Sequence, residues 1–350
     1  ADMPITIVTG APNISEMEGN IPKPTPKVAL ALAGAMLVDA HHEDRPLKKL
    51  KTAKIRGIES EGMLCSELEL GLSEDHAGIL ILPEDAPVGT LLHEYLGDVI
   101  LHFDIKGGFS HLLSILGIGR EIAALTEENL DRSVIPDVSK LKVLEQPPFV
   151  DLEINDPDIC SRYSALLIRN VKITSSPFWM QQRLLRLGMR PINNIVDITN
   201  YVMMELGQPL HAFDYDMLIK RANGGKPKII IRRAKEGEHL TTLDKVERKL
   251  DSDMLMITDQ VGHIGIAGIM GGGDSEVTSK TTNILLEAAN FEFLNNRRTA
   301  QILKLRTEAS ERFGKQVDPE GTLLAALRAA QLMVEHGSGT LEETAGDLYP

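Results

Sequence analysis

The sequence is poor in cysteine, aromatic rings and net positive charge, and each shortage excludes something. Its two cysteines, Cys65 and Cys160, stand far apart. They support neither a disulfide framework nor a four-cysteine zinc site, and they fit a reducing cytoplasm. Aromatics make up 4% of the chain against 43% hydrophobic residues overall, so aliphatic side chains must fill the cores. No apolar run is long enough to span a bilayer, and the N-terminus lacks a basic segment followed by an apolar one. Neither a Gly-x-x-x-x-Gly-Lys-Ser/Thr phosphate loop nor a helical His-Glu-x-x-His zinc pair occurs, and no metal or cofactor is expected in this chain. The formal net charge of −13 argues against a protein that coats nucleic acid without specificity. Basic stretches remain at Lys48–Arg56, Lys220–Lys235 and Arg297–Arg312. Each reads first as a solvated face, and an RNA partner would need contacts gathered on part of the surface.

The 350 residues suffice for two or three domains. Residues 1–97 read as short strands and loops suited to a small barrel: Ile5–Thr9, the apolar run Val28–Val38, and Ile79–Leu82 before Pro83. In residues 98–148, Val99–Ile105 alternates enough for a strand, Leu112–Leu125 has helical spacing, and Thr126–Pro148 is the best linker candidate. From residue 149 to 346 many strands are interrupted by a few helices, which argues an α+β domain with a mainly antiparallel sheet. Its expected strands include Leu152–Ile154, Tyr163–Ile168, Lys228–Arg233, Lys245–Leu250, Met254–Thr258, His263–Met270 and Thr282–Glu287. Its expected helices are one capped by Ser176 with Pro177 at its first position, Asn295–Leu305, and Pro319–His336 capped by Asp318. Trp179 and Leu184 are expected in the core.

The stretch from Arg190 to Asp214 organises the rest. Ile195, Ile198, Val202 and Leu206 form one apolar stripe at helical spacing. Asn193 or Asn194 can cap the start, Gly207 can end the helix in the left-handed conformation, and Pro209 blocks continuation. Such a helix fixes Thr199 and Asn200, with Arg190 just before it and His211 just after. On spacing alone, a capped helix with ordinary surface polar residues explains the stretch as well. Glu287 ends the apolar run Asn283–Leu286 and precedes two alanines, so it should be buried with a partner; on the residues alone that partner is an arginine. Gly271–Gly273 is a turn that lets backbone approach a ligand or another strand. Cys65 reads as a buried core residue and His263 as structural.

Arg-Pro-Ile-Asn-Asn-Ile-Val-Asp at residues 190–197 and Gly-Gln-Pro-Leu-His-Ala-Phe-Asp at 207–214 closely resemble the beta chain of bacterial-type phenylalanine–tRNA ligase. Ile55-Arg56-Gly57 and Ser60–Ser66 resemble that family's tRNA-binding domain. Ile266–Gly272 and Leu305–Ser310 resemble its central editing domain. The resemblance implies a truncated oligonucleotide-binding barrel, without the family's opening strand and helical N-terminal part, followed by the editing domain. Where the family has Thr-Pro-Asn-Arg-Pro-Asp, this chain has Lys106–His111, so contacts of that turn do not carry over. The implied activity is hydrolysis of the ester in mischarged tyrosyl-tRNA(Phe). Glu287 would recognise the tyrosine hydroxyl, with Thr199, Asn200, Gly271 and Ala309 in the same pocket; His211, Arg190 and Thr307 would act nearest the ester. Aminoacylation, with its ATP and Mg, is implied only for the alpha chain, in a heterotetramer of two alpha and two beta chains. The implied partners are therefore tRNA(Phe) and the alpha chain, in the cytoplasm. A non-catalytic RNA-binding or scaffolding module that docks the alpha chain is the contrasting reading.

Overall fold

The computed structural model describes residues 5–14, 17–18, 21–22, 26–133 and 135–350. These divide into two compact units, residues 1–102 and 103–350.

The first unit is built of very short strands. They are β1 (Met17–Glu18), β2 (Ile21–Pro22), β3 (Lys27–Val28), β4 (Leu30–Leu32), β5 (Met36–Val38), β6 (Leu47–Lys49), β7 (Ala53–Ile55), β8 (Ile58–Ser60), β9 (Gly62–Leu64) and β10 (Ile81–Leu82), followed by the single-turn α1 (Leu92–Tyr95). They pair antiparallel in twos: β1–β2, β3–β10, β4–β9, β5–β6 and β7–β8. Isolated backbone bonds link the pairs, among them Ala29 N–H to Leu80 O and Cys65 N–H to Ala29 O. No closed barrel forms among the described residues, in keeping with the truncated barrel expected there. Ile5–Thr9, expected as a strand, forms none. It lies beside β8 and β9 through Glu61 N–H to Thr6 O and Val8 N–H to the Ser60 hydroxyl. Those bonds are too few for a ladder. Cys65 is fully buried, and burial pushes its thiol up to about 11, so it is a core residue.

The second unit opens with α2 (Ile115–Thr126), whose first turn is capped by Ser114 accepting from Gly117 N–H. Val99–Ile105, expected as a strand, has none. Val99, Leu101 and Phe103 stay exposed, and alternation without a pairing neighbour makes no sheet. Next come β11 (Lys142–Leu144), β12 (Asp151–Ile154), β13 (Cys160–Arg169), α3 (Phe178–Arg186), α4 (Asn194–Leu206), β14 (Leu210–Asp214), α5 (Tyr215–Arg221) and β15 (Lys228–Arg233). The hairpin of β16 (His239–Thr241) and β17 (Glu247–Lys249) precedes β18 (Leu255–Thr258), β19 (His263–Ile266), β20 (Met270–Gly271) and β21 (Ile284–Phe291). Three helices, α6 (Phe293–Leu303), α7 (Glu308–Phe313) and α8 (Gly321–Gly337), and the long strand β22 (Thr340–Leu348) complete it.

Two five-stranded sheets result, ordered β11-β22-β13-β21-β14 and β12-β15-β18-β19-β20. All their pairings are antiparallel except the outer pairs β11–β22 and β12–β15. The fold is thus α+β with a largely antiparallel core. The expected linker is partly structured, because β11 lies within it; its Val134 falls outside the described residues.

Period-two alternation sorts the first sheet's side chains between two cores. Leu166, Ile168, Ala212, Ile284, Leu286 and Ala288 meet α4 and α8 on one face. Tyr163, Ala165, Leu167, Phe213, Leu285 and Ala289 meet Ile229, Ile231, Leu255 and Ile257 of the second sheet on the other. The stripe of α4 buries Ile195, Ile198 and Val202 completely, each stabilising by about 1.5–3 kcal/mol. Asn193 caps α4 by accepting from Ile195 and Val196 N–H, and Gly207 ends it at φ +87°.

Three local expectations differ. Ser176 does not cap α3; its hydroxyl donates to buried Asp197, which also accepts from Ile192 N–H at 2.7 Å, so the serine braces the entry to α4 instead. Trp179 is 39% exposed, edge-on to Tyr201 and under Arg183, while Leu184 is fully buried. Asp318 accepts from Glu320 N–H, ahead of α8, and does not cap the helix.

Candidate functional site

Glu287 lies mid-strand on β21, flanked in register by Ala165 of β13 and His211 of β14. It shares the face that looks toward the second sheet. A mid-strand carboxyl there is cut off from water, and its partner is not the arginine the residues suggested. The Tyr163 hydroxyl donates to Glu287 Oε2 at 3.1 Å. One neutral hydrogen bond offsets little of the desolvation, so burial pushes Glu287 from 4.5 up to about 8. Burial and the neighbouring carboxyl push the Tyr163 phenol well above 10. At neutral pH the pair is uncharged, and one carboxyl oxygen remains for a further hydrogen bond.

His211 is the cross-strand neighbour. Its Nε2 is buried with no hydrogen-bond partner among the described residues, and its ring stands edge-on to Phe213 at 4.5 Å. Burial lowers it from 6.5 to about 4, so the imidazole is neutral near pH 7. Glu287, His211, Gly271, Ala309, Phe313 and Ile257 line a cavity of about 80 Å³. Gly271 is required there, since a Cβ would stand 2.7 Å from His211 Cε1 and 2.8 Å from Nε2. Gly268, at φ +68°, turns the chain between β19 and β20, where a Cβ would meet Asn296 Nδ2 at 2.4 Å. That turn is clamped from two sides: Asn296 Nδ2 donates to Ala267 O at 3.1 Å, and the Thr307 hydroxyl donates to Ile269 O at 3.2 Å.

The structure therefore brings His211, Gly271, Glu287 and Ala309 together. Thr307 stands behind the cavity wall, where it caps α7 in a capping box with Ser310. Arg190, Thr199 and Asn200, expected in the same pocket, do not line this cavity. Arg190 is exposed ahead of α4. Thr199 and Asn200 ride on α4, whose apolar stripe packs on the opposite face of the sheet from Glu287, and the Thr199 hydroxyl donates to Val196 O at 2.7 Å. Tyr163 is the residue sequence reasoning missed. It was legible only as one aromatic in an apolar strand, with nothing to separate it from a core ring. His263 pairs with Glu238 at 3.1 Å and lies outside the cavity. No group of residues suited to a metal ion occurs among the described residues, and no described helix is long and apolar enough to cross a membrane.

Comparison with known families places this cavity. The family model of the B3/4 domain matches residues 159–338, from β13 to the end of α8. The chain belongs to the B3/4-domain family. A second model, of a tRNA binding domain, matches residues 2–91. The phenylalanine–tRNA ligase beta subunit of Dehalococcoides mccartyi is 47% identical over 345 residues, 99% of this chain and 40% of that protein. Those of Moorella thermoacetica and Clostridium acetobutylicum are each 44% identical over 99% of this chain and 41% of theirs. The family resemblance read from the motifs thus holds over nearly the whole chain, which spans about two-fifths of the length of these relatives. An N-terminal fragment of the phenylalanyl-tRNA synthetase beta subunit from Pyrococcus horikoshii aligns with 67% of this chain and 59% of its own at 14% identity. Its TM-score of 0.35 carries no weight for the fold. The B3/4 match holds His211, Gly271, Glu287 and Ala309 together with the rest of the cavity lining.

Proposed function

We propose that the B3/4 domain hydrolyses the ester of tyrosine mischarged onto tRNA(Phe), as part of a phenylalanine–tRNA ligase beta subunit. The observation that carries this is Glu287, a buried, neutral carboxylic acid with one oxygen bonded to Tyr163, set in a small cavity whose remaining walls are chiefly apolar. An apolar pocket rejects an analogue that merely adds a hydroxyl by only about 10²-fold, whereas a site built to bond that hydroxyl rejects one lacking it by roughly 10⁴–10⁵. Tyrosine would satisfy the free valence of Glu287, and phenylalanine would bury it unpaired.

Gly271 and Ala309 leave room for the aromatic ring. In hydrolysis, water adds to the ester carbonyl, the C–O bond to the terminal ribose breaks, and tyrosine and a free ribose hydroxyl leave. With its pKa lowered to about 4, His211 is too weak a base for its pKa range to recommend it as the proton acceptor. Its unpartnered Nε2 suits holding the attacking water or the ester in place, which can suffice when the substrate is well oriented. Arg190, being exposed, fits a contact with the nucleotide end. The tRNA binding domain, residues 2–91, would hold another part of the same tRNA. Aminoacylation would belong to an alpha chain.

The test is incubation of this chain with tyrosyl-tRNA(Phe) and phenylalanyl-tRNA(Phe), following ester loss. Faster loss of the tyrosyl ester is expected. Equal, uncatalysed decay of both would leave a non-catalytic RNA-binding module.

A further inference from the structure

A second, larger cavity of about 800 Å³ lies between α6 and α7. Residues 293–315 carry six cations (Arg297, Arg298, Lys304, Arg306, Arg312, Lys315) against Glu308 and Glu311, in a chain with 37 cations and 50 carboxylates overall. The two glutamates are already committed, Glu308 to Arg312 at 2.7 Å and Glu311 to Lys315 at 2.8 Å. Arg298 is held at 3.2 Å by Asp253 and does not line the cleft. Arg297, Lys304 and Arg306 do line it. Arg297 donates to Gly314 O at 2.7 Å, which leaves its charge unbalanced, and among the described residues neither Lys304 nor Arg306 has an ion-pair partner. Four cations (Arg297, Lys304, Arg306, Lys315) line the cleft against Glu308 and Glu311, and a concave wall with an excess of one sign focuses the field and draws in the opposite charge. No aromatic ring lines the cleft, so it offers no platform for stacking bases. What it fits is a polyanionic backbone, contacted through its phosphates.

The cleft and the Glu287 cavity share α7. Ala309 and Phe313 face the cavity; Thr307, Ser310 and Gly314 line the cleft. We propose that Arg297, Lys304 and Arg306 bind the sugar–phosphate backbone of the RNA strand whose esterified 3′ end enters the Glu287 cavity. The identity of that strand rests on the function proposed above; the binding itself does not.

The probe is a labelled, uncharged RNA hairpin with a short single-stranded 3′ end, titrated against this chain over a range of salt. Lys304 sits at φ +52°, so Lys304→Asn is used, because asparagine tolerates that conformation; Arg306→Ala needs no such care. Each variant should make the slope of log affinity against log salt shallower by about 0.7, the value of one phosphate contact on a single strand. Between a reference near 1 M and about 50 mM salt, that slope change corresponds to roughly an eightfold loss of affinity. Arg298→Ala, on α6 and outside the cleft, should leave both unchanged. Unaltered slopes in the cleft variants, or an equal loss in Arg298→Ala, would overturn the assignment. So would a polyglutamate peptide that displaces the RNA from wild type but not from the variants, since the cleft would then serve an acidic protein. A hairpin charged with tyrosine separates the two readings. KM should rise by the same factor with kcat unchanged. A wild type that binds with the expected slope yet leaves the ester intact would sink the hydrolytic function and spare the cleft.

Discussion

At the residue scale a single buried acid, Glu287, dominates the pH response and, on the proposed function, the choice of substrate. Glu287 titrates near 8 in the folded chain and near 4.5 in the unfolded one, so the folded state holds the extra proton between those values. Its contribution to stability is fully present below about 4.5 and is lost as pH rises through about 8, a loss of a few kcal/mol at most. His211 acts in the opposite sense. Its folded value near 4 lies below the unfolded 6.5, so it removes stability only as pH falls below about 6.5. Above that point Glu287 dominates of the two. The urea midpoint of the wild type should therefore fall between about pH 6.5 and 9 more steeply than that of Glu287→Gln, which keeps the shape without the titration. Parallel curves would mean that the carboxyl is not desolvated. Selectivity is the second readout. A hydrogen bond to the substrate phenol worth roughly 1–3 kcal/mol implies that Glu287→Ala slows tyrosyl-ester hydrolysis about five- to 150-fold. It should also admit phenylalanyl-tRNA more readily, so the two deacylation rates converge. A variant that melts early but keeps the wild-type rate ratio in its folded fraction would make Glu287 purely structural.

At the scale of elements, α7 joins the site to its surroundings, and Thr307 is the joint. Its hydroxyl accepts from Ser310 N–H, closing the capping box, and donates to Ile269 O in the turn between β19 and β20. Thr307→Ala should cost about 1 kcal/mol for the cap alone. It should also loosen the wall that carries Ile269 and Ala309, so hydrolysis falls while Thr307→Ser restores both stability and rate. If Ser fails to rescue, the methyl group's packing matters more than the two hydrogen bonds. Much at this scale was legible in advance. The stripe and caps of α4 and the apolar runs of β13 and β21 are local signals, and the family motifs carried His211, Gly271, Glu287 and Ala309 to one place. What was not legible depends on neighbours distant in sequence. β11 becomes a strand because β22 lies beside it, Val99–Ile105 has no such neighbour, and Ser176 turns to Asp197 once burial demands a partner for that carboxylate. Tyr163 belongs with these, since its role exists only through Glu287, far along the chain.

The whole molecule distributes its stability unevenly. The first unit consists of two- and three-residue strands joined in twos, and an isolated two-stranded ribbon is marginal in water. Its buried apolar residues are few and mostly small or medium: Ala29, Ala31, Leu37, Cys65, Leu68 and Leu80 among them. In the second unit β13 and β21 are flanked by strands on both sides and buried on both faces, with eight residues of β21 buried in succession. Amide hydrogen exchange should accordingly reach the strands of residues 27–82 well before β13 and β21, because exchange follows local opening free energy. RNA provides the discriminating condition. A ligand that binds only the folded state stabilises it by RT ln(1 + [L]/Kd), about 2.7 kcal/mol at a hundredfold excess over Kd. If the tRNA binding domain holds tRNA(Phe), exchange of amides that open only when that unit unfolds should slow by about a hundredfold under that excess. The slowing should vanish as salt rises and phosphate contacts are lost. The core amides of β21, already governed by opening of the second unit, should change far less unless the α6–α7 cleft is occupied too. Protection confined to the second unit would place the principal RNA contact there, and would end the reading of residues 2–91 as this chain's tRNA-holding part.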